Sequence, residues 1–118
     1  MITAIANLAN TYPAMKSNLE RKWYNIGAVY MAEYALERII FTQYEPITFH
    51  IPGGNYTPDF MHITESGRIY FVEVKGSRHQ KGYRDARSKL RAAAEVFPWF
   101  TFIEARKENN AWELERIK

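Results

Sequence analysis

The sequence predicts an α/β (α+β) domain in which a mixed sheet is flanked by helices, and three observations carry that reading. A capped helical pattern opens at Ser17, alternating apolar strands follow, and a second helical pattern near Asp85 returns the chain to a further strand at Phe100. Helix, three-stranded meander, helix and strand is the expected order, over about residues 17–104 of a single domain spanning 1–118.

Each element has a local cause. Ser17-Asn18-Leu19-Glu20 has the S-x-x-E form of a capping box, in which Ser17 receives the third helical N–H and Glu20 reaches back. Leu19, Trp23, Ile26 and Tyr30 then recur at three and four residues, with Val29, Leu36 and Ile39 as a neighbouring stripe. The helix is expected to run to about Ile40, with Gly27 as a weak point. So much apolar surface implies burial on more than one side, either as core or in part as a dimer contact.

From Tyr44 the period becomes two: Ile47, Phe49 and Ile51 alternate with Thr48 and His50, and Pro52-Gly53-Gly54-Asn55 supplies a turn. Two more strands are expected over 56–63 and 68–75, joined across Glu65-Ser66-Gly67, with His50 and His62 on strand surfaces. A helix over 85–96 presents Ala86, Leu90, Ala93, Ala94 and Phe97 to the core and directs Arg84, Arg87 and Arg91 elsewhere. Pro98 stops it, Phe100, Phe102 and Ile103 form a strand, and Trp112, Leu114 and Ile117 form a short edge strand after the turn at Glu108-Asn109-Asn110.

Composition narrows the chemistry. The chain has no cysteine, which removes disulfide scaffolds, thiol catalysis and thiolate zinc sites, and suits a reducing compartment. No stretch approaches the roughly 18 apolar residues of a membrane span, and the N-terminus lacks a basic segment followed by an apolar run. The expectation is a cytoplasmic protein without membrane contact. The net charge of +3 is unevenly spread: from Lys75 to Arg91 seven cations face Asp85 alone, a net +6, while the remainder sums to −3. Such a segment is either a solvated basic helix or a surface that meets a polyanion.

Chemistry concentrates in Tyr56-Thr57-Pro58-Asp59-Phe60 and Glu73-Val74-Lys75-Gly76. Residues two apart on a strand share a face, so Glu73 and Lys75 project together while Val72 and Val74 point to the core. With Asp59 at the end of the neighbouring strand, two carboxylates and one ammonium converge. Such oxygens suit Mg²⁺ or Mn²⁺, and a lysine beside them can hold an attacking water. The plain alternative is a cross-strand salt bridge of Asp59 or Glu73 with Lys75.

Pro58-Asp59 followed by Glu73-Val74-Lys75 resembles the PD-(D/E)XK nuclease superfamily. More narrowly, Ser17-Asn18-Leu19-Glu20, Tyr44-Glu45-Pro46, Tyr56-Thr57-Pro58-Asp59-Phe60 and Phe71-Val72-Glu73-Val74-Lys75-Gly76, in this order, resemble the phage junction-resolving endonuclease I family and related small phage nucleases. The resemblance implies a restriction-endonuclease-like core and a Mg²⁺-dependent endodeoxyribonuclease, with Mn²⁺ as substitute. It implies Asp59, Glu73 and the Val74 carbonyl as metal ligands, Lys75 as catalytic lysine and Glu20 as the first-helix acid, with Glu33 in reserve. It further implies branched DNA such as a Holliday junction as substrate, a homodimer, and the host cytoplasm if the protein is phage-encoded.

Arg78, His79, Lys81, Arg84, Arg87, Lys89 and Arg91 are the expected DNA contacts, positioning phosphates rather than reading bases. Lys89 has the active site as its other possible direction. Two further functions compete: a nuclease with another DNA target, such as a nicking, flap-cutting or transposition and recombination subunit, and a DNA-binding module that keeps the fold but cleaves nothing.

Overall fold

The computed structural model describes residues 15–76 and 82–118. Ser17 caps helix α1 (Asn18–Ala35) as its spacing predicts: Glu20 N–H donates to Ser17 Oγ at 3.1 Å, and Ser17 N–H donates to Glu20 Oε1 at 3.1 Å. The helix ends earlier than expected. Leu36 turns left-handed at φ 59°, its N–H donates to Ala32 O, and the β-branched pair Ile39-Ile40 opens strand β1 (Ile39–Tyr44) instead of extending the helix.

That boundary changes the meander. Its first strand is β1, which pairs antiparallel with β4 (Phe60–Thr64), and β4 pairs antiparallel with β5 (Ile69–Lys75). The segment expected to be the first strand forms β2 (Phe49–Ile51), which pairs only with β3 (Gly54–Tyr56) in a separate two-stranded ribbon. Gly53 makes their tight connection possible by adopting φ 89°. Helix α2 (Tyr83–Val96) then crosses over to β6 (Thr101–Glu108), parallel to β5, and β7 (Ala111–Ile117) closes the edge antiparallel to β6. The result is a mixed five-stranded sheet in the order β1-β4-β5-β6-β7. The last strand is a full partner of β6 over seven residue pairs rather than a short edge.

The sheet separates two cores. On one face Tyr70, Val72, Val74, Phe60, Ile103 and Ala105 pack against Trp23, Met31 and Ala35 of α1. On the other, Phe71, Met61 and Phe102 pack against Leu90 and Ala93 of α2 and against Phe49, Ile51 and Tyr56 of the ribbon. The face that carries Glu73 is therefore covered as well.

Two residues of α1 and β4 differ from expectation. His62 is fully buried: the Trp23 indole N–H donates to its Nε2 at 3.0 Å, which leaves Nδ1–H to donate to Thr42 Oγ1 at 2.9 Å. Burial pushes its pKa down to about 3, so the ring is neutral. Gly27 is a packing requirement, because a Cβ there would lie 2.5 Å from Trp23 Nε1. On the outer side, Val29 and Leu36 are 61% and 90% exposed and belong to no core, whereas Trp23 of the first stripe is fully buried.

Candidate active site

Four elements meet at one end of the sheet. Pro58 cannot donate to a ladder, and the β4–β5 pairing stops at Phe60 opposite Val72. The Val74 N–H lies beyond that last pair, and Asp59 takes it, accepting through Oδ2 at 2.8 Å. Asp59 is held in turn by its own carbonyl, which accepts from Glu45 N–H at 2.8 Å. The Pro-Asp sequence thus marks where β4 begins and fixes a carboxylate against β5.

Glu73 is buried on β5, where Oε1 accepts from the Tyr56 hydroxyl at 2.7 Å and Oε2 lies 3.3 Å from Lys75 Nζ. Tyr56 arrives from the ribbon, so the segment outside the main sheet supports the site. Glu20 enters from the first turn of α1; besides the cap, its Oε1 accepts from Tyr44 OH at 3.2 Å. The cap and the site use the same carboxylate.

The electrostatics show how near the acids lie. Burial first, then the charges of Glu73 and Glu20, push Asp59 up to about 9 against the opposing Val74 N–H. Burial also raises Glu73, opposed by Lys75 and the Tyr56 hydroxyl. Tyr56 itself is raised well above its ordinary value by burial and by Glu73, so it remains a donor. Three carboxyl groups face one ammonium in a largely dehydrated corner, an imbalance that a divalent cation would relieve. Among the described residues no three acidic or imidazole groups form a ready-made cage. Mg²⁺ does not need one, since it keeps waters and binds through one or two carboxylates plus substrate phosphate. Asp59 and Glu73 fit that donor set, with Glu20 beside them.

The other sequence candidates distribute differently. Arg84 and Arg91 are exposed on α2, and Lys89 pairs with Asp85 at 3.8 Å on the surface rather than turning to the site. Arg87, expected as a phosphate contact, is tied inward: it donates to Glu104 at 3.0 Å and to Glu115 at 2.8 Å. Arg78, His79 and Lys81 lie outside the described residues. Glu33 is exposed, and Glu37 binds Arg68 and Ser66, so Glu20 is the α1 acid that joins the cluster.

Sequence reasoning missed the two tyrosines and a second ionic group. In the parallel β5–β6 register Glu73 stands opposite Glu104 and Lys75 opposite Arg106. Glu104 and Arg106 are almost fully buried and pair with each other, and Arg106 also reaches Glu115 at 3.0 Å. The available signal was Glu104-Ala105-Arg106, a second acid-x-cation triplet in an apolar strand.

No protein-family model and no curated protein sequence matches the chain. Among solved structures, the crystal structure of SSO0001 aligns at 16% identity and a TM-score of 0.43, over 86% of this chain and 53% of that one. The chain spans about half the length of that protein.

Proposed function

We propose that the chain is a metal-dependent endodeoxyribonuclease of PD-(D/E)XK type, acting on branched DNA in the manner of a Holliday junction resolvase. The observation that carries this reading is the convergence of Asp59, Glu73 and Lys75 with Glu20 at one buried sheet end. The order α1, then β1, β4 and β5, then α2 and β6 supports a restriction-endonuclease-like core.

Asp59 and Glu73 would hold Mg²⁺, which supplies charge neutralisation at the scissile phosphate and lowers the pKa of a bound water. Asp59 is fixed by Val74 N–H and Glu73 by Tyr56, so both carboxylates are oriented before substrate arrives. Lys75 is half-buried and within reach of Glu73, where its ammonium can hold the attacking water and face the charge that develops on phosphorus. Water adds in line as the sugar oxygen departs, leaving a phosphate monoester and a hydroxyl. Paired cuts across a junction call for two copies. Ile26 and Val29, exposed three residues apart on α1, and the exposed Leu36 at its C-cap support a homodimer.

The test is gel cleavage of a four-way junction and a matched linear duplex, with Mg²⁺ or chelator, by wild type and Lys75→Ala. Paired junction cuts that need both metal and Lys75 are the expected result. Equal cutting of both substrates would point to a nuclease with another target. Binding without cleavage under Mg²⁺ or Mn²⁺ would refute the enzyme and leave the DNA-binding module.

A further inference from the structure

Tyr44-Glu45-Pro46 supplies no metal ligand, yet it stands at the edge of the site. Tyr44 ends β1 opposite Phe60, and its hydroxyl joins two segments: it donates to Glu20 Oε1 at 3.2 Å and accepts from Lys16 N–H at 3.3 Å. Arg21 holds the same stretch from the helix by donating to Met15 O at 3.0 Å. Lys16 is thus fixed in its backbone just ahead of the α1 cap, while its side chain is 77% exposed and places Nζ 3.2 Å from Glu45 Oε2. Glu45 is held in an unfavourable backbone conformation. Its φ is 44°, in the left-handed region, although a residue before proline prefers an extended one. Its N–H donates to Asp59 O at 2.8 Å, so the turn that carries the Glu45 carboxylate is tied to a proposed metal ligand.

The Lys16–Glu45 pair lies where the acids open to solvent. Glu20 and Glu73 are buried, whereas Asp59 is half-buried. Glu45 first, and then the charges of Glu20 and Asp59, raise the Lys16 pKa, so the ammonium lies within reach of the cluster. Lys75 meets that cluster from the Glu73 side at 3.3 Å, and Lys16 meets it from the side of Glu20 and Asp59. The pair itself adds one charge of each sign, so it leaves the excess of buried acids as it is. An exposed ion pair is weak, and another anion can take over the ammonium at little cost.

We propose that Lys16 is a substrate contact held in reserve by Glu45: a backbone phosphate of DNA arriving at Asp59 takes the place of the Glu45 carboxylate on the Lys16 ammonium. The identity of the anion rests on the nuclease reading. Glu45, with a third of its side chain exposed, passes to water when it is displaced. The contact positions the strand at the mouth of the site and reads no sequence.

A double-mutant cycle on DNA binding tests this, by fluorescence anisotropy with a labelled four-way junction and a linear duplex across a salt series, in chelator so that nothing is cut. The proteins are wild type, Lys16→Gln, Glu45→Gln and the double variant. Arg38→Gln, Glu65→Gln and their double variant are the control, because that pair is also exposed, at 2.9 Å, and lies at the other end of β4. Lys16→Gln keeps the N–H that binds Tyr44, so Glu20 stays in place, and unchanged circular dichroism would show that the variants fold. Lys16→Gln should lower the slope of log affinity against log salt by about 0.9 and weaken binding about fivefold at moderate salt. Glu45→Gln should tighten binding by up to about fivefold, the worth of an exposed ion pair, and should have no effect once Lys16 is replaced. Gains from Glu45→Gln that persist beside Lys16→Gln would show charge acting at a distance and overturn the proposal. So would equal coupling in the control pair, or absence of DNA binding by the wild type. If the coupling holds yet Mg²⁺ produces no cleavage, the nuclease reading fails and the phosphate contact stands. If junctions are cut while Lys16→Gln binds like wild type, the contact fails alone.

Discussion

The crowded acids at the sheet end make a prediction about stability that is independent of any substrate. Asp59 has its pKa pushed up from 3.8 to about 9 by burial and by Glu73 and Glu20, so the folded chain holds a proton that the unfolded chain releases. For a group raised in this way, its stabilising contribution is complete below pH 4 and is lost as pH rises toward 9. Each pH unit across that window is worth about 1.4 kcal/mol, so at pH 8 the fold carries a penalty on the order of 5 kcal/mol. Asp59→Asn removes the titration while keeping a side-chain oxygen for Val74 N–H. Urea unfolding in chelator, read at pH 4, 6 and 8, should show wild type falling progressively behind Asp59→Asn. Adding Mg²⁺ at pH 8 should then restore wild type alone, because the ion replaces the missing counter-charge. The variant should be more stable and inactive. Parallel pH profiles for the two proteins would refute the reasoning, since they would mean that Asp59 ionises as freely in the fold as in the open chain.

Two further perturbations separate support of the site from simple folding. Tyr56→Phe deletes a 2.7 Å charge-assisted bond to Glu73 worth about 1.5–3 kcal/mol, and should weaken Mn²⁺ binding by roughly tenfold or more. Isothermal titration would detect the change, and a wild-type affinity would show that Glu73 needs no such support. Gly27→Ala gains about 1 kcal/mol of helix propensity, but its Cβ must displace the buried Trp23 ring and strain the indole bond to His62. Overpacking of that kind costs about 1–3 kcal/mol, so the urea midpoint should fall; a rise would support the weak-point reading of the sequence.

What the sequence disclosed follows the range of the forces involved. The capping box at Ser17 and the crossover helix over α2 are local, and both fall within two residues of their expected positions. Ile39 and Ile40 continue the helical spacing of Leu36, and only the pairing of Ile39 and Phe41 with β4 decides that the segment is sheet. Arg87 sits at the edge of the core stripe of α2, three and seven residues before Leu90 and Ala94, yet nothing in the helix itself announces that Glu115 of β7 comes to lie against it. The same holds for Tyr56, which reaches Glu73 across 17 residues of chain only because the ribbon folds over the sheet.

The two acid-x-cation triplets show what sequence spacing cannot distinguish and charge balance can. Glu104 and Arg106 occupy the strand beside Glu73 and Lys75 at matching register, each acid between apolar neighbours, and are the more deeply buried of the two pairs. Around the first pair Arg87 and Glu115 bring the group to two carboxylates and two guanidiniums, with the exposed Glu108 and Glu113 on its rim at 3.7 and 3.6 Å from Arg106. Around the second, Asp59 and Glu20 bring it to three carboxyl groups and one ammonium. A buried balanced network stabilises a sheet edge, whereas a buried excess of acids costs stability unless a cation or a protein-bound proton offsets it. Glu20 sharpens the contrast: Ser17 N–H of the cap and the Tyr44 hydroxyl both donate to its Oε1, so these bonds occupy one oxygen of the pair while the carboxylate still bears on Asp59. Capping and site membership are therefore compatible uses of one residue, and the S-x-x-E spacing that suggested each of them separately is a consequence of both.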